Sequence, residues 1–272
     1  MLDIYPWQQT LWQQIVMRNQ HAHAYLLHGP AGIGKRVLAN QLAARLLCQQ
    51  PLALAACGEC KSCHLLAAGT HPDFYVLEPE EADKAIKVDQ VRDLVDFVVQ
   101  TPQLGGRKLV LLEPAEAMNP NAANALLKSL EEPAGNTVML LISHQPSRLL
   151  PTVRSRCVQQ ACPLPDETQS LDWMQVAHPE LDRQLAHELL RLSGGSPLTA
   201  LRLRALDVIG LREKVVEGVK KLLKQHSSPS QLAENWNAVP LPLLFDWFCD
   251  WSQVLLRYQL TQDESVLGLE EM

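Results

Sequence analysis

Gly29-Pro30-Ala31-Gly32-Ile33-Gly34-Lys35 has the residue types and spacing to hold phosphate. Glycines let backbone N–H groups converge on oxyanions, a following helix N-terminus adds positive potential, and Lys35 brings a point charge. The apolar run at 24–27 and the helical pattern from Val37 supply the strand and helix that such a loop needs on either side. One position departs from the pattern. A Ser or Thr after the lysine would hold Mg²⁺ beside the phosphates, and here that residue is Arg36. Gly29, Gly32, Gly34 and Lys35 are thus candidate ligands for ATP, ADP or phosphate at a degenerate site.

Turnover would also need a carboxylate at the end of a second strand to hold Mg²⁺ through water, and another to polarise the attacking water. The strand-like run at 108–112 ends in Glu113-Pro114-Ala115-Glu116. Glu113 is placed to meet a metal, Pro114 has no group to activate water, and Glu116 is expected to be solvated. Hydrolysis by this chain alone should therefore be slower by orders of magnitude. Ser143, at the end of the run 138–142, is placed to sense a terminal phosphate. Arg154 and Arg156 flank Ser155, and arginine is the residue that stabilises charge on a transferring phosphoryl group, a neighbouring subunit's included. The plainer reading of these two is an arginine-rich solvated turn.

Cys48, Cys57, Cys60 and Cys63 stand in a C-x8-C-x2-C-x2-C array. Two-residue gaps let thiolates converge on one ion, and four satisfy a closed tetrahedral Zn²⁺ site, which leaves no open position for catalysis. An iron–sulfur run has other spacing, and a redox C-x-x-C needs no four cysteines. Gly58, Glu59, Lys61 and Ser62 suggest a polar loop, with His64 or His71 able to replace one thiolate. Cys157, Cys162 and Cys249 are scattered and read as structural or incidental.

Strand-like runs at 25–27, 74–77, 109–112, 138–142 and, more weakly, 157–162 alternate with helical patterns near 36–48, 89–100 and 120–131. The last of these starts with Asn119 as cap and Pro120 at the first helical position. Strands buried on both faces and separated by helices predict an α/β fold, a doubly wound parallel sheet with ligands at its carboxyl edge. An amphipathic helix is expected at 7–16. Beyond Pro163-Leu164-Pro165 the pattern turns helical, near 167–177, 181–193 and 197–206. A strong amphipathic helix follows at 208–225, with Leu211, Val215, Val219, Leu222 and Leu223 on one face and Lys214, Lys220, Lys221 and Lys224 on a solvated one. Residues 240–260 are apolar and aromatic, with Trp247 and Trp251 four apart on one helix face.

The formal net charge of -6 argues against a free-standing nucleic-acid binder. No apolar run reaches membrane-spanning length and no signal pattern opens the chain, so a cytoplasmic location is expected.

Taken together, the loop, the four cysteines, Gly69-Thr70-His71-Pro72-Asp73, Asn121-Ala122-Ala123-Asn124-Ala125-Leu126-Leu127-Lys128 with Leu130-Glu131-Glu132-Pro133, and Ser155-Arg156-Cys157 carry a resemblance. The chain resembles the clamp-loader branch of the AAA+ family, as found in bacterial DNA polymerase III. That resemblance implies three domains: an AAA+ P-loop domain at 1–163 with a zinc module at 48–63, a helical lid at 164–206, and a helical collar at 207–272. It further implies a stator-type subunit, partnered with gamma/tau-type motor subunits and a clamp-opening delta subunit. Through that assembly it would reach a sliding clamp and primed DNA, with Arg156 completing a neighbour's ATP site in trans. Nucleotidyl transfer would belong to the polymerase assembly and not to this chain. Leu198, in Gly195-Ser196-Pro197-Leu198, stands where motor subunits carry a lid arginine. The family's collar runs past Met272, so the collar here is expected to be incomplete, its apolar face around 245–256 exposed. The alternative is a working ATPase motor, which Arg36, Pro114 and Leu198 oppose. A stand-alone zinc-dependent DNA-binding module is opposed by the acidic charge.

Overall fold

The computed structural model describes residues 3–18, 20–81, 84–104, 106–237 and 239–263. The expected chain end at Glu270-Glu271-Met272 lies outside the described residues. Residues up to Leu203 form one compact unit and those from Arg204 a second.

The first unit opens with a 3-10 turn at Pro6–Gln8 that runs directly into α1 (Gln9–Val16), so the segment expected to be one helix has a 3-10 first turn. Then follow β1 (Ala24–His28), α2 (Lys35–Leu47), α3 (Lys61–Ala67), β2 (Phe74–Leu77), α4 (Val88–Val99), β3 (Lys108–Leu112), α5 (Pro120–Glu131), β4 (Thr137–Ser143), α6 (Pro151–Arg154) and β5 (Val158–Ala161). Helices α7 (Glu167–Ala177), α8 (Arg183–Leu192) and α9 (Pro197–Ala205) come next.

The five strands lie in the order β2-β3-β4-β1-β5, all neighbours parallel. The register pairs Leu26 with Leu141 and Val110 with Met139, so alternate residues face opposite layers. Leu26, Val110, Leu112, Met139 and Leu141 pack under α4 and α5. Tyr25, Leu27, Leu109, Leu111 and Leu140 pack under α1 and α2. That two-sided burial is why the central strands read as continuous apolar runs. β5 read weakly because it is an edge: Val158 and Gln159 are exposed and Gln160 is only half-buried. Asn119 Oδ1 accepts from the Ala122 N–H at 2.8 Å, with Pro120 at the first helical position, so α5 starts where its sequence said. The sheet therefore presents its carboxyl edge, with His28, Glu78, Glu113 and Ser143 at or just past strand ends, to the phosphate-type loop.

The second unit holds α10 (Val208–Leu223), α11 (Pro229–Asn235) and α12 (Leu241–Thr261). α11 was not expected. It begins with a capping box in which Ser228 and Gln231 satisfy each other's backbone N–H groups. It packs on α10 at Gly218, where an added Cβ would sit 2.9 Å from the Trp236 ring. Val215 is buried on α10 as expected, but Leu222 and Leu223 at its end are exposed, because no described element of this unit covers that last turn. On α12, Trp247 is buried and Trp251 meets Phe248 edge-on, whereas Phe245, Leu255 and Leu256 are exposed.

Candidate functional site

β1 delivers the chain into the glycine loop and α2 leaves it, with Gly29, Gly32 and Gly34 at positive φ (145°, 71° and 89°). Lys35 does not reach outwards. Its Nζ donates to the loop's own carbonyls, Gly29 O at 2.6 Å and Pro30 O. Burial holds its ammonium down to about 8, while Cys162, Glu113 and Glu116 pull the other way.

The loop is covered from two sides. From the N-terminal segment, Trp7 Nε1 and Gln8 Nε2 both donate to Ile33 O, at 2.9 and 2.8 Å. The Tyr5 ring lies on Gly34 so closely that a Cβ there would be 2.3 Å from it. Tyr5 stacks on Trp7 with centroids 4.9 Å apart, and both meet Trp173 of α7 edge-on at 5.4 and 5.6 Å. From the start of α9, the Leu198 N–H donates to Gly32 O at 3.1 Å, and Ser196 just before it donates through Oγ to Ala31 O. Thr199 crowds Gly32, where an added Cβ would meet its Oγ1 at 2.1 Å. Leu198 therefore meets the loop through its backbone.

Arg36 turns from α2 to the strand ends. Its Nη1 pairs with Glu113 Oε2 at 2.7 Å and with Glu78 Oε1, so a guanidinium lies where two carboxylates would face a metal. Both carboxylates, with burial opposing, push the Arg36 guanidinium's proton affinity further up. Neither partner was legible from spacing. Glu116, expected to be solvated, instead accepts the His144 and Gln145 N–H groups at 2.8 and 3.0 Å and caps the chain as it leaves β4. Those N–H groups need an acceptor once the strand ends, and Glu116 is the acceptor beside them. His144 Nε2 lies 3.7 Å from Glu113 Oε1, but burial, and then Lys35, lower its affinity for a second proton. Ser143 is fully buried, and among the described residues its Oγ finds no hydrogen-bond partner.

Arg154 and Arg156 diverge. Arg154 Nη1 makes a long contact to Pro146 O at 3.4 Å. Arg156 folds back on α6, with Nη1 donating to Thr152 O at 2.9 Å and Nε to Glu131 Oε1 at 2.6 Å, and Nη2 to the same oxygen.

The four cysteines converge away from the loop. The Cys48–Cys57 and Cys60–Cys63 sulfurs are 3.5 Å apart, Cys48–Cys63 3.7 Å, and Cys48–Cys60 and Cys57–Cys63 3.9 Å. A tetrahedral ion with metal–sulfur bonds of about 2.3 Å sets sulfur–sulfur edges of about 3.8 Å, so this donor set fits a metal ion such as zinc. Backbone N–H groups of Glu59 and Cys60 lower the Cys57 thiol, whereas burial and the neighbouring thiols push Cys63 up to about 12, so the case for a metal rests on the sulfur geometry. The segment is not a plain polar loop. Lys61 begins α3, and Ser62 is fully buried, donating to Leu47 O at 2.7 Å and bonded to His71 Nε2 at 2.8 Å. His71, whose Nδ1 accepts the Asp73 N–H at 3.0 Å, is thereby committed to the scaffold and not to the ion. Burial pushes Cys157 up to about 12 and Cys162 up to about 11, which fits a structural place for both.

Comparison with known proteins gives the following likenesses. Residues 6–164 match the family described as DNA polymerase III, delta subunit. Over 272 residues the chain is 72% identical to DNA polymerase III subunit delta′ of Pseudomonas aeruginosa, covering 100% of this chain and 83% of that one. It is 38% identical over 280 residues to subunit delta′ of Yersinia pestis, covering 97% and 81%. With subunit delta′ of Escherichia coli K12 it shares 37% over 218 residues, covering 79% and 65%. A solved structure of a DNA polymerase III gamma subunit-related protein from Thermotoga maritima is 25% identical, with a TM-score of 0.46, covering 89% of this chain and 76% of that one.

Proposed function

This chain belongs to the DNA polymerase III delta′ family, and on that footing we propose that it is the stator of a replicative clamp loader. It turns over no ATP itself and lends Arg156 to a neighbouring motor subunit's site. The observation that carries this reading is the filled loop. Lys35 is spent on the loop's carbonyls, Tyr5 and Thr199 crowd Gly34 and Gly32, and Arg36 brings its own cation to Glu113 and Glu78. A nucleotide with Mg²⁺ would have to displace all of these, and Pro114 still provides no base. Arg156, by contrast, is partly exposed and carries its charge at the surface.

On this reading, gamma/tau-type motor subunits and a delta subunit are the direct partners, and the clamp and primed DNA are reached through them. Residues 1–163 form the AAA+ domain, 164–206 the lid and 207–272 the collar. Zinc is the ion at Cys48, Cys57, Cys60 and Cys63, where it staples the segment between α2 and α3 with no catalytic part. No helix among the described residues is long and apolar enough to cross a membrane, and on the clamp-loader reading the chain works in the cytoplasm.

The test is clamp loading onto primed DNA by reconstituted subunits with this chain added or omitted, alongside ATP hydrolysis by the chain alone. Loading that needs the chain, together with silence of the chain alone, supports the stator. Turnover by the isolated chain would favour a motor.

A further inference from the structure

Arg156 does not stand free. A guanidinium has five N–H bonds. Two of these, from Nε and Nη2, end on one oxygen of Glu131, and a third, from Nη1, ends on Thr152 O. Among the described residues, what remains is one N–H on each terminal nitrogen, and these two form the fork that suits a phosphate bidentately. Glu131 is the last residue of α5, so the guanidinium also sits at the negative end of that helix. Nothing in this arrangement has to be broken for the fork to meet an anion.

We propose that Glu131 is a positioning residue for Arg156. It fixes the arginine's plane and direction before the neighbouring nucleotide arrives, and it keeps its hold during phosphoryl transfer. The inference rests on the reading of Arg156 as an arginine that acts in trans. The side chains of Arg156 and Glu131 are 30% and 48% exposed, and an ion pair so open to water adds little to folding. Its value lies in orientation: a long side chain held in one rotamer delivers its charge without first losing that freedom.

The experiment is steady-state ATP turnover by the reconstituted loader carrying Glu131→Ala, Glu131→Gln, Arg156→Ala or the Glu131→Ala Arg156→Ala double variant. Thermal melts check that each folds. Glu131→Ala should lower kcat by about three- to tenfold with KM for ATP unchanged, because the group acts on the transition state. Glu131→Gln should restore most of that loss, since both bonds end on a single oxygen that the amide retains. The double variant should match Arg156→Ala. Glu131→Ala with unchanged or raised turnover, or an additional loss in the double variant, overturns the proposal. If Arg156→Ala itself leaves turnover intact while Glu131→Ala lowers it, the trans-arginine reading fails, and this one with it.

Discussion

Nη1 of Arg36 stands 2.7 Å from Oε2 of Glu113, and the same nitrogen reaches Glu78. The one change in the loop motif, a guanidinium for a hydroxyl, thus puts a cation of the chain's own beside these two carboxylates. It ties the start of α2 to the ends of β2 and β3.

Arg36→Thr should therefore cost stability without gaining activity. The pair is partly exposed, so the expected loss is about 1 kcal/mol, read as a lower denaturant midpoint with an unchanged slope. ATP turnover by the isolated variant should stay at background, because Tyr5, Thr199 and Pro114 are untouched. Restored hydrolysis would show that Arg36 alone silences the site.

Gly32→Ala tests the cover over the loop. The added Cβ would meet Thr199 Oγ1 at 2.1 Å and its backbone N at 2.7 Å, at a φ of 71° that already disfavours a side chain. Gly58→Ala shares the positive φ, at 81°, but meets nothing within 4 Å. The first should destabilise by roughly 2 kcal/mol or more and the second by about 1, the difference being the lid contact. Equal losses in denaturant unfolding would mean that Thr199 does not press on the loop.

Much of the fold could be read in advance because its signals are local. Fully buried strands give apolar runs, and Asn119-Pro120 marks a helix start whatever lies elsewhere. The site was legible in its residue types and not in its state. Arg36 meets Glu113 across 77 positions, and Ser196 meets Ala31 across 165, and no spacing rule predicts such pairs. The same holds for Tyr5 and Trp173, and for Glu116, whose role follows from where β4 ends. The four cysteines were the exception, since their chemistry is written in short gaps.

Lys35 gives the pH dependence. Its folded-state value of about 8 lies below the ordinary 10.5, so between these pH values the unfolded chain binds more protons than the folded one. Stability from this group therefore rises as pH climbs from about 8 to about 10.5, and it is constant below that window, where both states are charged. In unfolding titrations across this range, wild type should gain on Lys35→Met. A constant gap between the two would contradict the buried ammonium.

Metal analysis of the purified chain should find one zinc per molecule, and cobalt in its place should give the spectrum of a tetrahedral thiolate site. Cys60→Ser should lose most of the metal, and Cys162→Ser should keep it. Chelation should lower the melting temperature by several degrees, since binding energy at such a site is folding energy. Full retention of zinc by Cys60→Ser would remove that residue from the ligand set.

If this chain acts through Arg156 and not through its own loop, one comparison in the assembled loader separates the two. ATP turnover is measured with Lys35→Ala and with Arg156→Ala, each beside wild type. Turnover should stay near wild type for Lys35→Ala, and for Arg156→Ala should fall at least about tenfold at the site it completes. The reverse pattern, with Lys35→Ala silent and Arg156→Ala active, would contradict action through Arg156 and make the chain a motor.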